Sequence, residues 1–233
     1  MLTEDAYKNG QVLLIDKPLT WTSFQVVNKI RFAIQRKFGL KKLKVGHAGT
    51  LDPLATGLLI VCTGKFTKQI DTFQAQVKTY TGSFTLGATT PSYDKETEVN
   101  QIFSTAHITD ELIKITAKNF EGIRHQKPPI YSAIKQEGRR LYDLARAGET
   151  AEIPTRAIEI LSFEITKINR PQIDFKVICS KGTYIRSLAY DFGLELKSGA
   201  YLSALRRTAI GDFKVLDAIT LEHFLAPFQV TEE

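Results

Sequence analysis

Cysteine is scarce in this chain: 233 residues hold two, Cys62 and Cys179, each alone inside an apolar run. Without a CxxC spacing or a nearby histidine pair, neither a disulfide framework nor a zinc site fits, and both thiols are expected in the core. No stretch approaches the roughly 18 consecutive apolar residues of a membrane span. The opening MLTEDAYKNG lacks the basic-then-apolar pattern of a signal peptide. A soluble protein with a cytoplasmic address and no membrane partner is the expectation. Repeats, low-complexity tracts and linkers rich in Pro, Gly or Ser are also missing, so residues 1–233 read as one continuous domain. The most informative scarcity is of acid. Between Asp16 and Asp71 there is a single carboxylate, Asp52, among ten basic residues that include Lys17, Lys29, Arg31, Arg36, Lys41, Lys42 and Lys68.

What is present is ordinary in amount and uneven in place. Apolar residues make up 43% and charged residues 24%, the range of a globular domain rather than a disordered chain. The formal charge is +6, and its concentration before residue 71 points to a polyanion, with phosphate backbone the natural ligand of such a face. The competing reading is a solvated, lysine-rich helix face.

Periodicity supplies the elements. QVLLID (11–16) predicts a short buried strand stopped by Lys17-Pro18. Phe24, Val27, Ile30, Ile34 and Phe38 recur at helical spacing behind the capping candidates Thr22 and Ser23, and Gly39 ends that helix. Residues 58–62 form a strand, and 77–86 alternate so that Tyr80, Phe84 and Leu86 share a face. Helices are expected over 110–120 and over 139–147, the second closed by Gly148. An antiparallel strand pair, 157–168 and 173–179, turns around Asn169-Arg170-Pro171; a helix capped by Thr183 runs to about Lys197, and residues 202–209 before Gly211 suggest a further strand or short turn. The sum is an α+β fold with a mixed, largely antiparallel sheet flanked by helices.

One segment interrupts this regular pattern. Lys44 to Gly57, KVGHAGTLDPLATG, carries three glycines, a proline and two threonines. Pro53 biases Asp52 toward an extended conformation and so fixes where its carboxylate points. An Asp-Pro pair is commonly turn chemistry alone. Here Asp52 is the lone acid of a basic stretch, flanked by His47, Thr50 and Thr56, and is the candidate reactive group.

These residues resemble the TruB-type tRNA pseudouridine synthases, whose signature is a GHxGTLDPxAxGxL loop. The resemblance extends over the chain: Lys17-Pro18 with Trp21-Thr22-Ser23, the Tyr80 strand leading to Leu86-Gly87, QKPPIYSAIK (126–135) and SKGTYIRSLA (180–189). It implies a pseudouridine-synthase-like fold and isomerisation of uridine-55 in the tRNA T loop, with no cofactor, metal or ATP. It implies Asp52 as the catalytic carboxylate, Arg186 as the cation paired with it, and Tyr80 stacked on the base and engaged in proton removal. Tyr184 and Leu205 would wall the base pocket, His47 would insert among the loop bases, and Lys17 and Lys68 match basic positions near the pocket. Many members continue into a small RNA-binding PUA domain, and the expectation is that this appendage is absent or vestigial here. The segment Thr89 to Asp94 also departs from the family's usual pattern.

The chemistry agrees with one carboxylate. Isomerisation breaks the N1–C1′ bond and rejoins the sugar at C5, so the enzyme must stabilise an electron-poor C1′ and retain the detached uracil. Glycoside hydrolysis commonly uses two carboxylates, and none lies near Asp52 in sequence. Asp52 either adds to the sugar or assists glycal formation; the residues do not choose. A stacked uridine must be flipped out to react. The alternative in another class is an RNA-binding or RNA-folding protein acting on the T arm; a further one keeps the chemistry and is a synthase for another RNA. The expected partner is the tRNA T stem-loop, bound by a monomer without an obligatory protein partner.

Overall fold

The computed structural model describes residues 2–132, 135–136, 139–140, 142 and 153–228. In chain order the helices and strands are α1 (Glu4–Asn9), β1 (Val12–Lys17), α2 (Ser23–Phe38), β2 (Val45–His47), β3 (Ala55–Thr63), α3 (Ile70–Ala75), β4 (Lys78–Leu86), β5 (Ala88–Thr89), β6 (Gln101–Ile102), α4 (Asp110–Asn119), β7 (Gly122–Gln126), β8 (Lys135–Gln136), β9 (Arg139–Arg140), β10 (Arg156–Asn169), β11 (Gln172–Cys179), α5 (Ile185–Glu195), β12 (Ala200–Ile210), β13 (Phe213–Lys214), β14 (Ile219–Thr220) and α6 (Leu221–Leu225). The fold is α+β with mixed, mostly antiparallel strand pairing and helices packed on it. The chain divides into two compact units, Met1–Tyr80 with Leu205–Glu233, and Thr81–Ala204; β4 and β12 each pass from one unit into the other.

In the first unit the strand order is β14-β1-β3-β12, with β2 paired to β3 and β13 to β12. β1 is antiparallel to β3, while β14 runs parallel to β1 and β12 parallel to β3. Residues 58–62 of β3 are all apolar because both faces of the strand are covered there. Leu59 and Val61 pack with Val26, Val27, Ile30 and Ile34 of α2, whereas Leu58, Ile60 and Cys62 pack with Phe73 of α3 and Ile210. α2 begins with a reciprocal cap: Thr22 Oγ1 accepts from the Gln25 N–H at 3.0 Å, and Gln25 Oε1 accepts from the Thr22 N–H at 2.8 Å. It ends at Gly39 in the left-handed region. Phe24 departs from the expected apolar stripe and stands out to solvent, 65% exposed.

In the second unit β4, β11, β10 and β7 lie side by side in that order. The β10–β11 pair is antiparallel, as its alternation predicts, and Phe163 and Phe175 point from it into an aromatic core with Phe84, Phe120 and Phe192. Phe84 and Phe175 lie 4.3 Å apart between ring centroids. Cys62 and Cys179 are both fully buried thiols.

Two local expectations change. Thr183 does not cap α5; its hydroxyl donates to the Ser180 carbonyl at 3.0 Å, a turn closing three residues earlier, and the cap position falls to Tyr184. Of the helix expected over 139–147, Arg139–Arg140 form a strand paired with Lys135–Gln136, Tyr142 is helical, and residues 141 and 143–147 lie outside the described residues.

Candidate active site

The loop carrying Asp52 is held from three directions within the first unit. Its ends are strands: His47 pairs with Val61 across β2–β3, and Ala55 begins β3. Between them the Asp52 carbonyl accepts from the Ala55 N–H at 3.0 Å, closing a turn with Pro53 at its first corner. The Asp-Pro pair is therefore turn chemistry in its backbone, and that turn fixes the base of the Asp52 side chain. On one flank, Ser23 Oγ accepts from the Leu51 N–H at 2.8 Å and lies 3.1 Å from the Leu51 carbonyl, to which it donates. The Thr20 N–H donates to the Pro53 carbonyl at 2.8 Å.

On the other flank lies Arg207, fully buried on β12. Its Nε donates to the Leu58 carbonyl at 2.8 Å and its Nη2 to the Gly49 carbonyl at 3.0 Å. Sequence reasoning assigned no role to this residue, because nothing local distinguishes it from its neighbour Arg206; the parallel β3–β12 register alone brings it under the loop. That register pairs Leu205 with Ala55 and Arg207 with Gly57. Gly57, at φ +103°, lets the strands approach so closely that a Cβ there would lie 2.3 Å from the Arg207 carbonyl oxygen.

Asp52 is half-buried, and the charge of Lys17 interacts with it. Lys17 is fully buried, its ammonium donating to the Pro18 carbonyl at 2.9 Å and the Trp21 carbonyl at 2.5 Å. Burial, with the Arg207 charge added, pulls its pKa down to about 8, against the opposing pull of Asp52. Lys17 is shut away from solvent and acts on Asp52 through its charge. His47, also shielded, is held below the usual imidazole pKa by burial and by Arg207, so the ring is neutral at pH 7. Lys68 is exposed on the 3-10 turn Gly64–Gln69. Tyr80 closes the first unit on β4 and is 8% exposed. The first unit therefore gathers Asp52, Lys17, His47 and Leu205 about one loop.

Arg186 and Tyr184 lie at the start of α5, in the second unit. The Tyr184 backbone is gripped by the Gln126 amide, which accepts from its N–H at 2.8 Å and donates to its carbonyl at 3.0 Å, and the Arg156 guanidinium lies 4.5 Å over its ring. Arg186 is 4% exposed and donates to the carbonyls of Ser92 at 3.3 Å and Tyr131 at 2.8 Å. Its Nε lies 3.6 Å from Asp94 Oδ2. Asp94 is fixed in turn: its Oδ1 accepts from the Glu96 N–H at 2.9 Å and its carbonyl from Thr90 Oγ1 at 2.6 Å. Sequence reasoning passed over Asp94 because its partner is 92 positions away; the signal that singles it out is the unusual segment Thr89 to Asp94. Among the described residues no three His, Cys, Asp or Glu side chains gather as a metal site, and no helix is long and apolar enough to cross a membrane.

Comparison with known proteins bears on this arrangement. The family model "TruB family pseudouridylate synthase (N terminal domain)" matches residues 35–185, and "tRNA pseudouridylate synthase B C-terminal domain" matches residues 186–233. The chain belongs to the TruB family of pseudouridylate synthases. The tRNA pseudouridine synthase B of Flavobacterium johnsoniae is 61% identical over 96% of this chain and 98% of its own length. That of Phocaeicola vulgatus is 53% identical over 94% and 93%. Among solved structures, a Cbf5-Nop10-Gar1 complex contains a chain superposing with a TM-score of 0.70 at 30% identity, over 95% of this chain; the present chain spans about half (55%) of that one. As a TruB-family chain, the protein is a pseudouridine synthase, an isomerase.

Proposed function

We propose that this enzyme converts uridine-55 in the T loop of tRNA to pseudouridine, with Asp52, Tyr80 and Arg186 as its catalytic residues. The observation that carries the reading is the single carboxylate of Asp52, fixed by a turn, a serine latch and a buried arginine on a signature loop. The N1–C1′ bond breaks, the uracil turns within the pocket, C5 bonds to C1′, the C5 proton leaves to restore the ring and N1 takes up a proton, so that atoms and charge balance without a cofactor. Lys17 places a positive charge near Asp52, and the Asp52 carboxylate stabilises C1′ as positive charge develops there. Arg186 supplies a second buried positive charge to the reaction. Tyr80 stacks on the base and takes part in removing the C5 proton, while Tyr184 and Leu205 wall the pocket. The neutral imidazole of His47 inserts among the loop bases when the target flips, and Lys68 meets phosphate. The enzyme acts in the cytoplasm as a monomer on the T stem-loop, with no obligatory protein partner.

The test is release of tritium to water from unmodified T-arm RNA labelled at uridine C5, with Asp52→Asn in parallel. Wild-type release, with none from the variant at tRNA affinity within about tenfold, is expected. A folded wild-type protein that binds tRNA without releasing tritium would make this chain an RNA-binding protein instead.

A further inference from the structure

α2 buries Val26, Val27, Ile30 and Ile34 against β3, and its opposite face should be polar throughout. It is not. Phe24 and Phe32 stand on it 65% and 60% exposed, eight residues and about 12 Å apart along the axis. Between and beside them lie Asn28, Lys29, Arg31, Gln35 and Arg36, with no carboxylate; from Lys17 to Leu51 the chain has no acidic residue at all. Arg31 is already arranged over an aromatic ring: its guanidinium lies 5.3 Å from the Phe32 centroid, and its Nη2 donates to Asn28 Oδ1 at 2.7 Å. The helix start is latched to the reactive loop through Ser23 and Leu51, so α2 begins beside the residue that precedes Asp52.

We propose that the outward face of α2 is a track for tRNA running beyond the target uridine, with Phe24 and Phe32 stacking on unpaired bases and Lys29, Arg31 and Arg36 meeting the intervening phosphates. The charge selects the occupant. An apolar partner protein or a second copy of this chain would bring two aromatic rings into contact without neutralising three cations, whereas a polyanion with π faces satisfies both. A stacking platform reads no sequence, so the track adds grip rather than base choice. The inference rests on the RNA-modifying reading above, and it enlarges the RNA footprint beyond the pocket.

Binding of full-length unmodified tRNA, measured across a series of salt concentrations, tests it with four variants. Phe32→Ala and Phe32→Leu should each raise Kd about five- to hundredfold, the worth of one stacked base, while Phe32→Trp stays within twofold of wild type. Arg36→Gln should flatten the slope of log affinity against log salt by about 0.7–0.9, one phosphate contact. Because Phe32 is exposed, all variants should melt as wild type does. Leucine binding as well as phenylalanine overturns the stacking claim. So does a Phe32→Ala variant within twofold of wild type, or one whose sedimentation changes while its tRNA affinity does not, which would mark a self-association surface. A wild-type protein that binds no tRNA sinks the functional reading as well; one that binds and isomerises tRNA while Phe32→Leu is indistinguishable sinks the track alone.

Discussion

The hydroxyl of Ser23 engages both backbone groups of Leu51, accepting from the N–H at 2.8 Å and lying 3.1 Å from the carbonyl. This one side chain locks the first residue of α2 to the residue before Asp52, and both residues are buried. Ser23→Ala would strand two buried backbone groups, at a cost of about 1–3 kcal/mol. Because Asp52 is the next residue, the loss should appear in turnover before it appears in affinity. Single-turnover rates should fall at least tenfold with tRNA Kd changed less than threefold. Equal loss in both would make Ser23 a general folding contact.

Gly57 is the second point where loop and strand depend on one atom. An alanine there would need φ near +103° and a Cβ 2.3 Å from the Arg207 carbonyl oxygen, so β3 and β12 would have to separate beneath the loop. Overpacking of this kind predicts a loss of roughly 2–4 kcal/mol in chemical denaturation. A variant as stable as wild type would show that the register slides without penalty.

Lys17 predicts a pH limb. With its pKa pulled down to about 8, it is charged at pH 7 and loses its proton as the pH rises through 8, taking with it the positive charge behind Asp52. Turnover divided by KM should therefore fall between pH 7 and 9. Lys17→Met should be slow throughout and should lack that fall. If the variant keeps the same limb, the titrating group is elsewhere.

The parts of this architecture visible in advance are those fixed by neighbours in the chain. The cap at Thr22, the stop at Gly39, the strand over 58–62 and the turn chemistry of Asp52-Pro53 all follow from residues within a few positions of one another. What escaped was long-range. Arg207 sits under the loop because of a parallel register with β3, and Asp94 faces Arg186 across 92 residues; neither side chain carries a local mark. Phe24 was misplaced because helical spacing counts a phenylalanine as core whether or not a neighbouring strand covers it.

Asp94 Oδ2 lies 3.6 Å from the Arg186 Nε, a contact that positions the guanidinium. Asp94→Asn preserves an acceptor for the Glu96 N–H but removes the charge beside the guanidinium, leaving a buried cation with weaker compensation. Turnover should drop by one to two orders of magnitude, and Asp94→Glu should restore part of it. A variant with full turnover would limit Asp94 to fastening its own loop.

Asp191 on α5 predicts a stability effect of opposite sign to the usual carboxylate. Burial raises its pKa to about 6, with Arg124 pulling the other way. The stacked pair Tyr93 and Tyr190 lies close by, at 4.1 Å between centroids, and Tyr93 is itself pushed up to about 12 by burial, Tyr190 and Asp191. Between about pH 4 and 6 the folded protein keeps a proton that the unfolded chain has released, so the Asp191 contribution declines as pH rises through that window. At pH 7.5 a charged carboxylate is held where a neutral group would be more stable. Asp191→Asn should therefore raise Tm at pH 7.5, and its advantage should shrink toward pH 4.5, where the native carboxyl is protonated. An advantage of equal size at both pH values would trace the effect to packing rather than to charge.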